Sequence, residues 1–432
     1  MRRGTKPRLG LALAGVVLAG AGWADDWPQW RGPNRDGRSP SRGLLQSWPQ
    51  EGPSVAWRAG GLGTGYSTVS VAGERIFTMG DLEDGQYVIA LSRADGAQLW
   101  RTRIGPIWPE ENFPGPRSTP TVIGGRVYAL GTDGDLLALD AASGERAWHR
   151  NLKADFGGSQ MLAQGKVDWR FAESVLVDGD RLLVTPGASD ATMVALDRHS
   201  GEELWRSAVP ELGEAGVDGA GYSSAVVSEA CGIRQYVQLL GRGVVGVEAE
   251  TGRFLWGYNR VANKIANIPT PIVDGNRVFA TSGYGTGAAL LELACEGDRV
   301  EAREVYFLPP ETMQNHHGGV VLHEGFLYSG TGHNKGFPLA VELATGRVAW
   351  GPVRNAGKNS AAVAYADGHL YMRYQDGLML LVEATPEAYR EKGSFTIPDV
   401  VEESWAHPVV VDGRLYLREQ GELHCYDVAD SP

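Results

Sequence analysis

The chain has 432 residues, 43% of them hydrophobic, with 40 Lys and Arg against 52 Asp and Glu for a formal net charge of -12 at pH 7. A surface of that sign excludes nucleic acid and an anionic membrane surface as partners, because both repel it. The hydrophobic content suffices for a large core, and 59 glycines suit a chain of many short strands joined by many turns.

Arg2, Arg3, Lys6 and Arg8 make a basic start, and Leu9 to Gly22 are an uncharged apolar run ending two residues before Ala24. This is the pattern of a cleavable export signal over residues 1–24, too short for a membrane span. No later stretch is long and apolar enough to cross a bilayer as a helix, and no Cys stands near the cleavage point to carry a lipid. The expectation is a soluble monomer, periplasmic or secreted. Residues 25–52 hold Trp27-Pro-Gln-Trp-Arg-Gly-Pro-Asn-Arg-Asp-Gly37, irregular through its Pro and Gly, and three tryptophans (27, 30 and 48) that favour burial. They predict an arm pinned against the main body. Asn34-Arg-Asp-Gly37 reads as a plain turn, since it lacks the carboxylate ladder and distal Glu of a calcium loop.

From residue 53 onward one phrase recurs. Ala195-Leu-Asp-Arg-His-Ser-Gly-Glu-Glu-Leu-Trp205 reads as a strand end, a tight turn with Gly201 in the left-handed conformation, and a returning strand that carries Trp205. The same phrase ends at Trp100, Trp148, Trp256 and Trp350. Upstream of each phrase lies a hairpin with a Gly-containing turn between β-branched strands, as in Val175-Leu-Val-Asp-Gly-Asp-Arg-Leu-Leu-Val184. Four short antiparallel strands repeated every forty to fifty residues or so is the pattern of propeller blades. Counting hairpins gives units at 66–105, 117–152, 171–209, 222–260, 268–308, 316–354, 359–398 and 405–428. The last holds three strands. The missing fourth is Pro53-Ser-Val-Ala-Trp57, which closes the ring and removes both edges. The reading is therefore all-β: an eight-bladed β-propeller over residues 53–432, closed by its N-terminal strand, with the tryptophan phrase absent from blades five and seven.

On these phrases, which end in Thr/Ser-Gly and Trp, the chain resembles the pyrroloquinoline-quinone (PQQ) repeat propellers. The resemblance covers nearly everything after residue 52. One branch is the quinoprotein alcohol dehydrogenases, for which it implies PQQ and calcium at the mouth of an eight-bladed ring. Another is the BamB-type assembly factors of the outer membrane, with the repeats and no cofactor. The opening Trp27–Gly37 segment looks like a third, exported group of unassigned role. The chain departs from the dehydrogenases in having no adjacent Cys-Cys pair and no Cys-x-x-Cys-His segment, and from BamB in lacking the anchoring Cys. Within the resemblance Trp57, Trp100, Trp148, Trp205, Trp256 and Trp350 are structural, wedging neighbouring blades together.

In a propeller the loops leading into the innermost strands converge on the mouth of the central channel. Here they are polar: Gly65-Tyr-Ser-Thr68, Arg117-Ser-Thr-Pro120, Arg170-Phe-Ala-Glu173, Gly221-Tyr-Ser-Ser224, Asn267-Ile-Pro-Thr270, Asn315-His-His-Gly318, Lys358-Asn-Ser360 and Trp405-Ala-His407. One reading is a site for a polar or anionic small molecule, built from Arg117, Arg170, Glu173, Tyr222, Asn267, Asn315, His316, His317, Asn359, Trp405 and His407. Arg117, Arg170 and Lys358 would pair with carboxylates, and Glu173 with Asn267 would ligate a hard cation such as calcium. The other reading is that these groups only satisfy backbone atoms round a watery channel. Adjacent strand residues point to opposite faces, so one of His316 and His317 is expected to face the channel and the other to pack in a blade. In a loop both would reach it, and with His333 and His407 would suit a transition metal. No Gly-x-Ser-x-Gly elbow or phosphate-binding loop is present.

The turns bearing Cys231 and Cys295 fall on neighbouring blades, on the face opposite the mouth, which predicts a disulfide between them; Cys425 reads as a buried free thiol. Two functions remain: an exported propeller that binds a ligand or an envelope protein, and a PQQ- and calcium-dependent dehydrogenase of an alcohol or sugar.

Overall fold

A computed structural model describes residues 26–108, 113–162, 168–297 and 299–430; the proposed export signal lies outside them. The described chain is eight four-stranded antiparallel sheets in a ring. Seven are consecutive meanders, at 70–105, 121–151, 176–207, 226–258, 272–308, 320–350 and 361–396. The eighth pairs Val55–Ala59 with the C-terminal strand Glu422–Asp427, Trp57 lying opposite Cys425. Among the described residues no helix is long and apolar enough to cross a membrane.

Each blade alternates small, β-branched and aromatic residues whose two faces are both covered by neighbours. One hydrophobic cluster lies between each successive pair of blades. Tyr128, Leu136 and Leu182 join blades two and three, and Tyr328, Val363 and Leu380 join six and seven. Burial of such a Leu or Val stabilises by about 2 kcal/mol. The tryptophan phrase adds a directional lock. Trp148 Nε1 donates to the Arg198 carbonyl of the next blade at 3.0 Å; Trp100 does the same to Ala141, Trp205 to Ala249 and Trp350 to Thr385. Blade five lacks the Trp, and Tyr306 replaces it by donating to the Leu343 carbonyl at 2.8 Å. Trp256 has no such turn to meet and donates instead to Gln235 of its own blade.

The turn glycine explains the Trp. At Gly201 φ is +75°, and a Cβ there would lie 2.9 Å from the ring of Trp148. Asp197 holds the turn by accepting from the His199 and Ser200 amides. Gly201→Ala therefore meets both a left-handed backbone and a flat ring, and we expect a loss of about 2 kcal/mol, read as a lower urea midpoint. An unchanged midpoint would show that the interblade contact yields freely. Cys231 and Cys295 form a disulfide between blades four and five, with Cα atoms 5.6 Å apart, and Cys425 is a buried free thiol.

The first part of the arm, residues 27–41, runs across the central channel and touches every blade, whereas Leu45 and Trp48 pair with Val428 of blade eight and with Lys392 in the outermost strand of blade seven. Trp27 pairs with Val71 of blade one, and the Pro28 carbonyl accepts from Val122 of blade two. Arg35 donates to the Ser174 and Val175 carbonyls of blade three and the Ala225 carbonyl of blade four. Trp30 donates to Thr270 of blade five at 3.0 Å, and Arg31 to the Val320 carbonyl of blade six. Tyr365 of blade seven pairs with residues 37 and 39, and Asp412 of blade eight donates to Ser41. Arg31 and Arg35 both have left-handed backbones, φ +60° and +58°, conformations that persist where the surroundings over-determine them.

Candidate ligand-binding site at the channel mouth

Above the arm lies a cavity of about 390 Å³. All eight loops that lead into innermost strands contribute to it, through Tyr66, Arg117, Trp169, Tyr222, Ile268, His317, Asn359 and Trp405 among others. The turns between the second and third strands of blades five and six add Tyr284, His333 and Asn334, and the arm adds Trp30 and Arg31 beneath.

The walls are aromatic. Trp405 lies 4.6 Å, centroid to centroid, from both Tyr66 and Phe113, and 5.1 Å from His317. Trp30 lies 4.5 Å from His407. Arg117 is sandwiched over Trp108 and Tyr66, 4.7 and 5.5 Å from their ring centres. Its two terminal nitrogens donate to the Phe113 and Gly115 carbonyls, which fix the guanidinium and leave three of its five N–H groups without a partner among the described residues. Among the described residues no carboxylate forms an ion pair with it. Burial lowers its pKa to about 10, so it stays charged at neutral pH.

The histidines collect on one side. His316 and His317 lie 4.5 Å apart, His316 and His333 4.4 Å, and Tyr284 4.2 Å from His333. Tyr284 Oη is 2.9 Å from His316 Nε2, and Ser360 Oγ is 2.9 Å from Nδ1 of the same ring. Burial first, and the neighbouring imidazoles second, lower the pKa of His316 to about 2 and that of His317 to about 3. Burial and the Arg31 charge lower that of His407 to about 3. These rings are neutral at pH 7. Tyr284 is pushed up to about 12 by burial. Trp405 Nε1 and His333 Nδ1 are buried with no hydrogen-bond partner. Tyr66 Oη and His317 Nε2 have only the amides of Gln420 and Gln375 nearby, outside good hydrogen-bond geometry.

Of the residues singled out in the sequence, Arg117, Tyr222, His316, His317, Asn359, Trp405 and His407 line the cavity, and Arg170, Glu173, Asn267 and Asn315 do not. Arg170 faces Asp133 and Asp168 at 3.5 and 3.6 Å. Glu173 accepts from the Thr185 amide and from Gln238. Asn267 bridges the Leu240 and Gly241 carbonyls to Ser282, and Asn315 ties Gly319 to Ser329 and Gly330. The reason is alternation: Ala172 and Ser174 flank Glu173 and face the cavity, so Glu173 turns away, and Ala266 and Ile268 do the same to Asn267. The histidine pair departs from the expected alternation, since both rings line the cavity; residues 316–318 are an irregular bend, not a strand. Trp30, Arg31, Phe113, Trp169 and Tyr284 were not singled out. Only the density of aromatics in the arm pointed to any of them.

Residues 41–163 and 85–351 match the PQQ_2 family model, described as outer membrane protein assembly factor BamB, and together they cover more than half of the chain. The chain belongs to that family. The outer membrane protein assembly factor BamB of Xanthomonas campestris pv. campestris is 32% identical over 113 residues, 26% of this chain and 25% of that protein. That of Salmonella typhimurium is 31% identical over 126 residues, 28% of this chain and 27% of that protein. The matches thus span about a quarter of the length of these relatives. Among solved structures, a europium-containing methanol dehydrogenase has a TM-score of 0.66 at 11% identity, covering 93% of this chain and 98% of that one. The quinohemoprotein alcohol dehydrogenase of Pseudomonas putida HK5 has 0.62 at 15%, covering 94% and 81%. BamB of Moraxella catarrhalis has 0.56 at 15%, covering 82% and 94%. At these identities the likeness is one of fold.

The donor set of this PQQ_2-family propeller can be set against the quinone and calcium that the resemblance implies. Calcium takes six to eight oxygen ligands, carboxylates foremost. Among the described residues that line the cavity the only carboxylate is Glu403, and no group of three or more His, Cys, Asp or Glu is placed to hold a metal ion. Glu173 and Asn267 are turned away from the cavity and engaged elsewhere. The described residues do not fit a calcium–quinone centre. The aromatic walls and Arg117 do fit a planar molecule with a carboxylate.

Proposed function

We propose that this chain is an exported envelope propeller that binds a planar, carboxylate-bearing organic molecule at the channel mouth, as a binding protein and not as a dehydrogenase. The observation that carries this reading is Arg117. It is a fixed cation without an ion-pair partner among the described residues, wedged between aromatic rings at the wall of a cavity that holds buried donors lacking acceptors. An unpaired buried donor costs about 1–3 kcal/mol, and a ligand oxygen that meets it recovers that cost. Aromatic faces supply area without a directional demand, so a flat ring suits them. Assembly with an envelope protein, the role in the names of the BamB relatives, would leave these donors unmet, which favours the small molecule.

Tryptophan fluorescence and thermal shift with 2-naphthoate, and with PQQ in the presence and absence of calcium, test the reading. We expect saturable binding that does not require calcium and a rise in unfolding temperature. Arg117→Met should weaken it about 10- to 100-fold, the value of a charge-assisted hydrogen bond. Absence of any shift at saturating concentrations, or PQQ binding that needs calcium and supports dye reduction, would overturn it.

A further inference from the structure

The cavity holds a second cation, and it comes from the arm. Arg31 is 2% exposed and lines the cavity. Its Nη2 uses both hydrogens, on the Asp36 and Val320 carbonyls. Its Nε and Nη1 have no partner among the described residues. A Cβ built on the cavity-lining Gly319 would lie 2.1 Å from Nη1, so that nitrogen abuts the cavity wall where a side chain is missing. Gly319 has φ +73°, which favours glycine there in any case. No carboxylate among the described residues forms an ion pair with Arg31. Burial brings its pKa down to about 10, still charged at neutral pH. An arginine buried with three N–H groups unmet is costly unless an anion arrives to meet them.

Arg31 and Arg117 belong to different elements, the arm beneath the cavity and the loop before blade two. Between them stand His407, tilted against Trp30, and His317, whose carbonyl accepts from His407 Nε2 at 3.1 Å. Neutral imidazoles do not compete with a ligand for either cation. Resting on the proposed binding reading, we infer that Arg31 is a second anion anchor and that the ligand of this cavity is a flat dianion, with one acidic group on Arg117 and the other on Arg31. The arm is then part of the binding site, and the choice between mono- and dicarboxylates is made by a residue outside the repeats.

The experiment titrates the full mature chain with 2,6-naphthalenedicarboxylate and with 2-naphthoate, following tryptophan fluorescence and calorimetry. The wild type should bind the dicarboxylate at least about 10-fold more tightly, one charge-assisted contact more. Arg31→Met should erase that ratio. Arg31→Lys keeps the charge and loses the fork, and should retain part of the ratio; it serves if the Met variant does not fold. Equal wild-type affinities for the two probes, with both weakened by Arg117→Met, would overturn the second anchor and leave the binding reading standing. A ratio unchanged in either Arg31 variant would do the same. Binding of neither probe would remove both.

Discussion

Replacing Arg418 by Met should lower the stability of the ring by about 4 kcal/mol or more, the largest effect expected of any single substitution here. Arg418 lies in the strand Arg414–Glu419 of the blade that closes the ring, and it is 1% exposed. It uses all five donors. Nε serves the Gln420 carbonyl, Nη1 the Thr78 hydroxyl and the Met79 carbonyl at 2.7 and 2.9 Å, and Nη2 the Leu62 and Gly63 carbonyls at 3.2 and 2.9 Å. Four of these acceptors belong to blade one or to the segment before it, so one side chain joins the last blade to the first. Met fills similar volume and leaves those acceptors dry. The readout is the urea midpoint, together with the reactivity of Cys425. That thiol is 0% exposed and its pKa is pushed up to about 12 by burial, so it reacts only when blade eight opens. We expect thiol labelling to speed up at least about 100-fold, in proportion to the more frequent opening. A labelling rate and a urea midpoint equal to wild type would sink the idea that this arginine holds the closure.

Mild acid should destabilise the protein. His316, His317 and His407 have folded-state pKa values of about 2, 3 and 3. In the unfolded chain each returns to roughly 6.5. Below that value the unfolded state binds protons that the folded state refuses, so stability is fully present above pH 6.5 and falls as pH drops through it. Each histidine contributes about 2 kcal/mol of loss between pH 6.5 and 5, or about 6 kcal/mol for the three. Glu173, Asp36 and Asp81, whose pKa values burial raises, act in the opposite sense. The expected result is a urea midpoint that decreases steadily from pH 7 to pH 5. A midpoint that is flat or rises over that interval would mean that the three rings take up protons in place. His407→Gln should make the slope shallower, since one of the three refusing groups is gone.

The sequence by itself determined the ring. Blade number, the closing strand and the interblade tryptophans were all legible, because a turn such as Asp197 to Trp205 is a local object. Its aspartate, glycine and ring spacing require nothing from the rest of the chain, and eight hairpin units in register leave no other way to bury both faces of each sheet. Tyr306 replacing the missing Trp of blade five was not legible, since a phenol and an indole reach the same carbonyl from different spacings. The set of loops round the mouth was also readable, because every loop entering an innermost strand must end there.

Only the tertiary structure decided which side chain of each loop enters the cavity. An extended loop alternates, and a shift of one residue exchanges Ser174 for Glu173 or Ile268 for Asn267. The bend at His316 and His317 suspends that alternation and brings both rings to the cavity. The path of the arm was likewise undetermined by its sequence. Trp27, Trp30 and Trp48 demand burial, yet they end in three different places: a cluster between blades eight and one, the cavity itself, and a cluster between blades seven and eight. Nothing local to Arg31 and Arg35 calls for their burial; the eight blades do so by presenting backbone carbonyls to a common axis. The radial convergence of the blades, absent from any local pattern, turns an irregular arm into the base of the site.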